Sequence, residues 1–311
     1  MYKPIISVII PVKNGEKTIG KCLESVFNLD WPDFEVIVVN DGSTDSTAKI
    51  LNDFSVKHKN MKIITTPGLG PSDARNLAIK EASGEFIAFT DGDCTLDRNW
   101  PAELHNGFSN DKIAGVGGDQ LSPEDDTQFG KTVAGFLKTI GFVTGYIKPA
   151  VGQSSGGKNC PQGMPVVDHN PTCCVMYRKK IFEEAGGFYS GLWPGEDVEF
   201  DRRLSKLGYR HIYNPQAKVY HYRPQNIRSF SKMMYSYGRV QSWLVRKFGF
   251  FRKIHFVPPV MIGGSLVWLA VTLKAPLIGM TAALAVAAAV FIRFKTLDFF
   301  LLFIVTVFSW H

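Results

Sequence analysis

The sequence predicts an α/β domain with a mostly parallel central sheet, followed by interfacial helices and membrane-spanning helices. Over the first ninety residues, β-branched apolar runs alternate with segments whose apolar residues have helical spacing. Such alternation is typical of parallel strands joined by right-handed helical crossovers. After residue 223 the chain becomes basic and aromatic, and from residue 256 it becomes strongly apolar. These observations predict one large domain with a C-terminal appendage.

The predicted sheet begins at Ile5–Ile10, a β-branched run that Pro11 closes. Further strands are expected at residues 34–40, 61–65 and 85–90. Helices are expected at residues 18–28, 46–58 and 72–82, where apolar positions recur every three or four residues. The glycine-rich dinucleotide fingerprint does not follow the first strand, so the pattern disfavours a dehydrogenase.

The middle of the chain has a looser pattern. A helix is predicted over residues 129–147, followed by a loop rich in Gly, Ser and Pro over residues 151–165. Long loops inside a compact domain are usually functional or mobile. This loop is interpreted either as a lid that faces an acceptor or as a simple surface insertion.

Charge is distributed unevenly along the chain. The formal net charge is +7, but Asp298 is the only acidic residue after Asp201 in the sequence. The acid-free block from Arg202 to Lys253 indicates contact with anionic phospholipid or with a lipid-phosphate acceptor. A merely solvated basic face is the alternative. No nucleic-acid-binding motif accompanies the charge, so nucleic acid is not expected as a partner.

Cysteine usage indicates a cytosolic compartment. The five cysteines show no CxxC spacing, and their odd number argues against a disulfide framework, so reduced thiols are expected. The chain opens directly into a strand, which predicts that no signal peptide precedes it.

Three regions are predicted. Residues 1–223 form the α/β domain, residues 224–255 a basic amphipathic juxtamembrane region, and residues 256–311 two to three transmembrane helices. The apolar stretches cover residues 256–273, 275–292 and 297–310, the third being short for a span. Basic residues flank them unequally, which predicts a multi-pass protein of the cytoplasmic membrane whose large domain faces the cytoplasm. Packing of these stretches as soluble core helices is the alternative.

Two acidic motifs carry the chemistry. Asp91-Gly92-Asp93 follows an apolar strand, and ligands of open α/β sheets bind beyond the carboxyl ends of strands. Two carboxylates so spaced suit a divalent ion that bridges phosphate oxygens. Glu196-Asp197 follows a Gly/Pro turn and opens a helical pattern, where one acid could act as a general base. A metal–diphosphate site with a separate base predicts a nucleotide-sugar transferase.

Six motifs in order make the chain resemble family 2 glycosyltransferases over about residues 4–222. They are the first strand, Asn40-Asp41-Gly42-Ser43, Ala74-Arg75-Asn76, Asp91-Gly92-Asp93, Gly186-Gly187-Phe188 and Glu196-Asp197. The resemblance implies a GT-A fold, which is Rossmann-like, and a nucleotide-diphospho-sugar donor. It also implies a divalent metal, Mn²⁺ or Mg²⁺, and inversion at the anomeric carbon. UDP is expected ahead of GDP as the donor nucleotide.

The resemblance also implies roles for the donor-side residues. Pro11 and Val12 would line the base pocket, while Asp41 would accept hydrogen bonds from the nucleobase or ribose with Ser43 nearby. Asp41 has a simpler interpretation as a turn former. Arg75 would reach the diphosphate and offset its charge. Its alternative is a solvated helix residue.

The acidic residues receive the remaining roles. Asp91 would contact the nucleotide, with Gly92 in the same nucleotide-sugar site, and Asp93 would hold the metal. His221 matches a position that supplies a metal ligand in some GT-A enzymes, although a structural histidine is the alternative. In the pair Glu196-Asp197, Asp197 is the expected base. Glu196 would support the acceptor, and it could also cap the following helix.

The expected activity is transfer of one sugar to a hydroxyl of a lipid-linked glycan or glycolipid. A polyprenyl-phosphate glycosyltransferase is the nearest alternative, but its acceptor is already ionised and needs no base. The Glu196-Asp197 pair therefore favours a hydroxyl acceptor. No Gln-x-x-Arg-Trp motif follows the pair, which disfavours processive synthesis. A catalytically idle membrane scaffold is the remote alternative.

Overall fold

The structure is a computed structural model that describes residues 4–139, 163–278, 281, 288 and 297–310. These residues divide into two compact units. The first contains residues 4–126 and 163–222, and the second contains residues 127–139 and everything described after 222. One division falls between residues 222 and 223, and residues 127–139 belong to the second unit. The domain limits predicted from the sequence stay a prediction.

Nine strands are found in the part of the chain that the structure describes, all in one sheet of the first unit. In chain order they are Ile6–Val12 (β1), Phe34–Asp41 (β2), Met61–Thr66 (β3), Phe86–Phe89 (β4), Cys94–Leu96 (β5), Ile113–Leu121 (β6), Val166–Val167 (β7), Val175–Arg178 (β8) and Arg210–His221 (β9). The spatial order is β3-β2-β1-β4-β8-β6-β9-β5, and β7 pairs with β9.

The helices follow the predicted spacing closely. They are Ile19–Phe27 (α1), Thr47–Lys57 (α2), Pro71–Glu81 (α3), Trp100–Asn106 (α4), Gln128–Thr139 (α5), Lys180–Ala185 (α6), Glu196–Lys206 (α7), Ile227–Phe248 (α8), Val257–Lys274 (α9) and Leu297–Trp310 (α10). The first three predicted helices are confirmed to within one residue at each end. The predicted helix 129–147 is α5 as far as residue 139, and its remainder lies outside the described residues, as does most of the loop 151–165.

The sheet is buried on both faces, which explains the unbroken apolar runs in the sequence. Successive residues of β1 point to opposite faces. Val8 and Ile10 pack in the cluster that contains the apolar side of α1, and Ile9 packs in the cluster that contains the apolar side of α3. One helical layer therefore covers each face, as expected for an α/β domain.

The parallel half of the sheet positions the candidate site. Strands β3, β2, β1 and β4 are mutually parallel, as predicted. The chain runs from β1 outward to β3 and then returns to place β4 on the other side of β1. Such a reversal of strand order opens a crevice at the carboxyl ends of the strands. The segments that follow β1, β2 and β4 therefore converge there.

The other half of the sheet is mixed, which strand–helix alternation did not predict. β4 pairs with β8 and β8 with β6 in antiparallel fashion, and β5 pairs antiparallel with β9. β6 and β9 are parallel, with a register shift between Gly118 and Asp119. The antiparallel pairs bring β5, directly after the Asp91-Gly92-Asp93 motif, beside the carboxyl end of β9.

The second unit is helical. Within it α8 packs against α10, and α10 also packs against α5, with Phe136 within 6.0 Å (ring centroids) of both Phe230 and Phe299. Of the three predicted spans, the first corresponds to α9 and the third to α10, while most of the second lies outside the described residues. Across the described ranges, no helix has the length and apolar character needed to traverse a bilayer, so the expectation of spanning helices is not met there.

Candidate active site

Asp41, the last residue of β2, is held by the loop that leads into α3. It is buried and accepts hydrogen bonds from the Thr66 hydroxyl and from the backbone amides of Leu69 (2.6 Å) and Gly70 (2.8 Å). Burial opposes its ionisation, but these hydrogen bonds outweigh burial and lower the pKa of Asp41. An ionised, acceptor-only side chain therefore stands at the carboxyl end of β2.

The neighbouring strand end contributes Pro11 and Val12, which lie beside Val39 and Asn40 in the β1–β2 register. Val12 is buried and Pro11 is half-buried. Ser43 follows the Gly42 turn, and its hydroxyl accepts a 2.9 Å hydrogen bond from the amide of Asn14. The four donor-side residues predicted on β1 and β2 therefore lie at adjacent strand ends.

Arg75 connects the two acidic motifs. Its side chain is only 2% exposed, and its guanidinium donates to Asp91 Oδ1 and to Glu196 Oε1, each at 2.7 Å. Burial opposes its charge, but Asp91 and Glu196 raise the pKa of Arg75 and keep it protonated. Carboxylates 105 residues apart in the chain thus share one cation. The expectation that Arg75 reaches a diphosphate stays a prediction, and the solvated-helix alternative is wrong.

The Glu196–Asp197 pair opens α7 immediately after Gly195, whose backbone is left-handed at φ 97°. Glu196 is buried and also accepts a hydrogen bond from the Thr172 hydroxyl. Asp197 is half-exposed, and its Oδ1 accepts from the amide of Val198 at 2.7 Å. The less buried member of the pair, Asp197, is thus the one that was expected to act as base.

Burial raises the pKa of Glu196 to about 7. The Arg75 cation lowers it, but the like charges of Asp197 and Asp91 add to the effect of burial. Folded protein therefore binds more protons at Glu196 than unfolded protein does between pH 4.5 and about 7. As a consequence, the contribution of Glu196 to the free energy of unfolding falls as pH rises through that window.

Glu196→Gln is expected to remove this pH dependence. The unfolding free energy of the parent minus that of the variant should decrease from about pH 5 to about pH 8, by up to about 3 kcal/mol. Chemical denaturation at both pH values measures it, with Glu183→Gln, on the exposed face of α6, as the control for removing a carboxylate elsewhere. A difference that grows with pH would contradict the raised pKa.

The second acid of the first motif lies beside His221. The His221 Nε2 atom is 3.4 Å from Asp93 Oδ1, and its Nδ1 is 3.4 Å from Gln120 Oε1. Asp93, Cys94 and His221 each offer one ligand atom, and these atoms lie within 4.8 Å of one another. A carboxylate suits Mn²⁺ or Mg²⁺, and a neutral imidazole can add a ligand beside it. The two residues predicted to hold the metal are therefore brought together, and the carboxylate fits the implied ion.

Cys94 and Cys173 are the residues at this site that sequence reasoning missed. Cys94 lies directly opposite His221 in the β5–β9 register, and Cys173 interacts with both Cys94 and His221. The Cys94 interaction lowers the pKa of Cys173 to about 6, against burial and with help from His221. Only the antiparallel pairing reveals this cluster. The spacing of 94, 173 and 221 along the chain gives no signal for it.

Gly92 lies between the two aspartates at a point of close approach. A Cβ atom there would lie 3.0 Å from Val12 Cγ2 and 3.4 Å from Ile19 Cδ1. A side chain would therefore push the motif away from the end of β1. Its place in the motif is explained by packing, and a contact with the donor stays a prediction.

A carboxylate at the end of β2, a carboxylate–imidazole pair after β4 and an acidic helix start lie on one doubly covered α/β sheet, an arrangement that suits a nucleotide-sugar glycosyltransferase. The profile of Glycosyl transferase family 2 matches residues 7–186, and that of Glycosyl transferase family group 2 matches residues 154–310. The chain belongs to glycosyltransferase family 2 and is a glycosyltransferase.

Curated relatives match most of the chain. The glycosyltransferase AglE of Haloferax volcanii is 27% identical over 84% of this chain and 81% of its own length. A dolichyl N-acetyl-alpha-D-glucosaminyl phosphate 3-beta-D-2,3-diacetamido-2,3-dideoxy-beta-D-glucuronosyltransferase of Methanococcus voltae is 29% identical over 81% of this chain and 77% of its length. The probable glycosyltransferase YdaM of Bacillus subtilis is 30% identical over 79% of this chain, which spans 57% of that relative.

Solved structures share the fold. The mannosyltransferase PcManGT of Pyrobaculum calidifontis, in complex with GDP-Man and Mn²⁺, has a TM-score of 0.70 at 17% identity, covering 99% of this chain and 87% of its own. TarS of S. aureus, in complex with UDP-GlcNAc, has a TM-score of 0.54 at 20% identity, covering 77% and 66%. The predicted GT-A-like α/β fold is thereby confirmed, although the sheet is mixed where the sequence pattern predicted only that it is mostly parallel.

Proposed function

We propose that this glycosyltransferase inverts the anomeric centre and moves one sugar from a nucleotide-diphospho-sugar to a hydroxyl of a lipid-linked glycan or glycolipid. The observation that carries the proposal is the Arg75 bridge from Asp91 to Glu196. It keeps the donor-side motif and the predicted base, Asp197, at one crevice. A transferase needs the donor site and the base at the same crevice, because the acceptor must attack opposite the leaving diphosphate.

The chemistry assigns a role to each side chain. Asp197 takes the proton of the acceptor hydroxyl while its oxygen forms a bond to the anomeric carbon. The bond from that carbon to the diphosphate breaks, and the nucleoside diphosphate leaves with the electron pair. Asp93 and His221 would hold a divalent cation, which when bound supplies positive charge to the leaving diphosphate. Asp41 accepts hydrogen bonds from the nucleoside, with Pro11, Val12 and Ser43 beside it.

The names of the relatives support a lipid-linked hydroxyl acceptor. The Methanococcus voltae protein is named for transfer to the 3-position of a dolichyl-phosphate-linked sugar, which is a hydroxyl on a lipid-linked glycan. The structural neighbours are described with GDP-Man and with UDP-GlcNAc. We retain UDP ahead of GDP as the proposed donor nucleotide. A polyprenyl-phosphate acceptor is the second candidate, and an idle scaffold remains the remote one.

Association with the cytoplasmic face of a membrane is part of the proposal. Helix α8 carries basic side chains and no acidic one, in keeping with attraction to anionic lipid. Large apolar side chains stand exposed along α9, among them Val260, Leu266, Val267 and Leu273. Apolar surface of this extent is typical of sites of protein or membrane contact. A membrane location would put the catalytic unit beside a lipid-linked acceptor.

Thermal stabilisation by nucleotides tests the proposal. UDP, GDP and CMP are each added with and without Mn²⁺, and release of free sugar or transfer is then measured with the matching sugar nucleotides. Stabilisation by one diphosphate that requires Mn²⁺, with turnover of its sugar nucleotide, is expected. Ligand at a hundred times its Kd would stabilise folded protein by about 2.7 kcal/mol. Folded protein that responds to none of them would overturn the proposal in favour of a scaffold.

A further inference from the structure

The loop between α6 and α7 presents an aromatic side chain beside the predicted base. Trp193 is 55% exposed, although Leu192 before it and Glu196 after it are both buried. Asp197 follows four residues later and is half-exposed. Single exposed apolar side chains are common on proteins, so exposure alone does not mark a binding residue. What distinguishes Trp193 is how firmly its backbone is held next to Asp197.

Helix α3 fixes both ends of the short segment that contains Trp193. The Ser72 hydroxyl donates to the Leu192 carbonyl. The Arg75 guanidinium donates to Glu196 Oε1 at 2.7 Å. Residues three apart lie on the same face of a helix, so one face of α3 makes both contacts. Three residues extend at most about 11 Å, which keeps the Trp193 backbone within that distance of Glu196.

The start of the loop is held by the same helix. The Asn76 side chain accepts a hydrogen bond from the Phe188 amide and donates one to the Phe188 carbonyl, each at 2.8 Å. Asp73 accepts from the Gly191 amide at 3.0 Å. A surface that is held in place before its ligand arrives loses little conformational entropy on binding. The loop therefore offers the indole of Trp193 as a preformed binding surface.

We propose that Trp193 is an acceptor-binding residue, on which the sugar ring that carries the attacking hydroxyl stacks. The face of a pyranose ring is made of C–H groups and its rim carries hydroxyls, so it fits an aromatic surface bordered by a carboxylate. The indole holds the ring, and Asp197 accepts the proton of the hydroxyl at its edge. This inference rests on the proposed function for the role of Asp197, and it adds the group that binds the acceptor beside it.

The charge around Trp193 favours a neutral sugar over an anionic ligand. The sequence from Phe188 to Asp201 contains four acidic residues and no Lys or Arg. The guanidinium of Arg75 is already bound to two carboxylates. A phosphate that approached this loop would meet like charge, whereas sugar hydroxyls can donate hydrogen bonds to carboxylates. An isoprenoid chain is the competing occupant, because an aromatic surface also binds apolar chains.

Fluorine NMR separates the two occupants without any sugar transfer. The full-length protein is labelled with 5-fluorotryptophan, and the resonance of residue 193, one of six tryptophans, is assigned by its loss in Trp193→Phe. The labelled protein is titrated with the methyl glycosides of glucose, galactose, mannose and N-acetylglucosamine, and separately with farnesyl phosphate. A saturable shift of the residue 193 resonance by at least one glycoside is expected, and farnesyl phosphate should leave that resonance in place.

Transfer kinetics provide the second readout. Trp193→Ala should raise the KM for a glycolipid acceptor by about 5–30-fold, the usual effect of truncating an aromatic anchor. The kcat and the nucleotide Kd should stay within about twofold of the parental values, because the indole binds ground state and transition state alike. Trp193→Phe should recover most of the loss, since it keeps an aromatic face.

Leu207→Ala is the matched control, because Leu207 is also 55% exposed but follows the far end of α7, about 16 Å along the helix from Glu196. It should keep the parental acceptor KM. A shift by farnesyl phosphate alone, no shift by any probe, or an unchanged acceptor KM in Trp193→Ala would overturn the inference. Transfer that is indifferent to Trp193 would leave the proposed function standing. Protein whose Trp193 binds a glycoside but which binds no nucleotide would keep the sugar site and lose the proposed function.

Discussion

Asp197→Asn is expected to lower the kcat of sugar transfer by about 10²–10⁴-fold, the usual contribution of a positioned general base. An amide has the size of the carboxylate and can still accept the 2.7 Å hydrogen bond from the Val198 amide, so α7 should begin as before. It cannot accept the proton of the acceptor hydroxyl. Steady-state kinetics with a hydroxyl acceptor measure the loss, and nucleotide Kd should stay within about twofold if ground-state donor binding is untouched.

A control variant and the nucleotide affinity decide how the Asp197→Asn result is interpreted. The control variant Glu183→Gln removes an exposed carboxylate from α6 and should leave turnover at the parental value. Near-normal turnover of Asp197→Asn would contradict the base assignment and favour the phosphate acceptor, since an ionised phosphate needs no base. Weakened nucleotide binding together with slow turnover would instead place the defect in the donor site.

Arg75→Met is expected to lower the free energy of unfolding by about 3–5 kcal/mol, because it leaves a buried carboxylate without its cation. Domains are stable by only about 5–15 kcal/mol, so this loss is a large share of the total. Glu196 is 3% exposed and can escape the cost only by taking a proton. Chemical denaturation measures the loss, which should be smaller in acid than at neutral pH.

A double variant tests the cause. Replacing Glu196 by Gln in the Arg75→Met background removes the stranded charge, so about 0.5–3 kcal/mol should return. Lys62→Met is the matched control, since Lys62 pairs with Glu81 on the surface with half of each side chain exposed, and such pairs contribute at most about 1 kcal/mol. Additive effects at residues 75 and 196, with nothing regained, would show that the bridge carries no coupling.

The parallel half of the sheet and its helices could be predicted because their signals are local. The run before Pro11 and the helical spacing from Ile19 each lie within a dozen residues, and both elements appear within two residues of the prediction. The order of the motifs likewise predicted that Asp41, Asp91 and Glu196 belong to one glycosyltransferase site. Periodicity and motif order are sufficient where each element packs on its chain neighbours.

The rest depends on pairings between distant segments. Nothing near Cys94 in the sequence indicates that it faces His221, since their contact arises from an antiparallel strand pair 127 residues apart. Arg75 was expected to reach a diphosphate, yet its hydrogen bonds go to two carboxylates of which one is 121 residues away. Alternation of strands and helices also predicts only parallel pairs, so it could not foresee the direction of β8.

The Arg75 bridge constrains how this protein can evolve. Arg75 is the cation that Asp91 and Glu196 share, so a lineage that loses Arg75 leaves the buried Glu196 carboxylate without its partner until Glu196 also changes. Drift at these positions therefore proceeds by linked substitutions, and the easiest first step is at Glu196, which a proton can neutralise. The donor and acceptor sides of the crevice are thereby inherited as one unit.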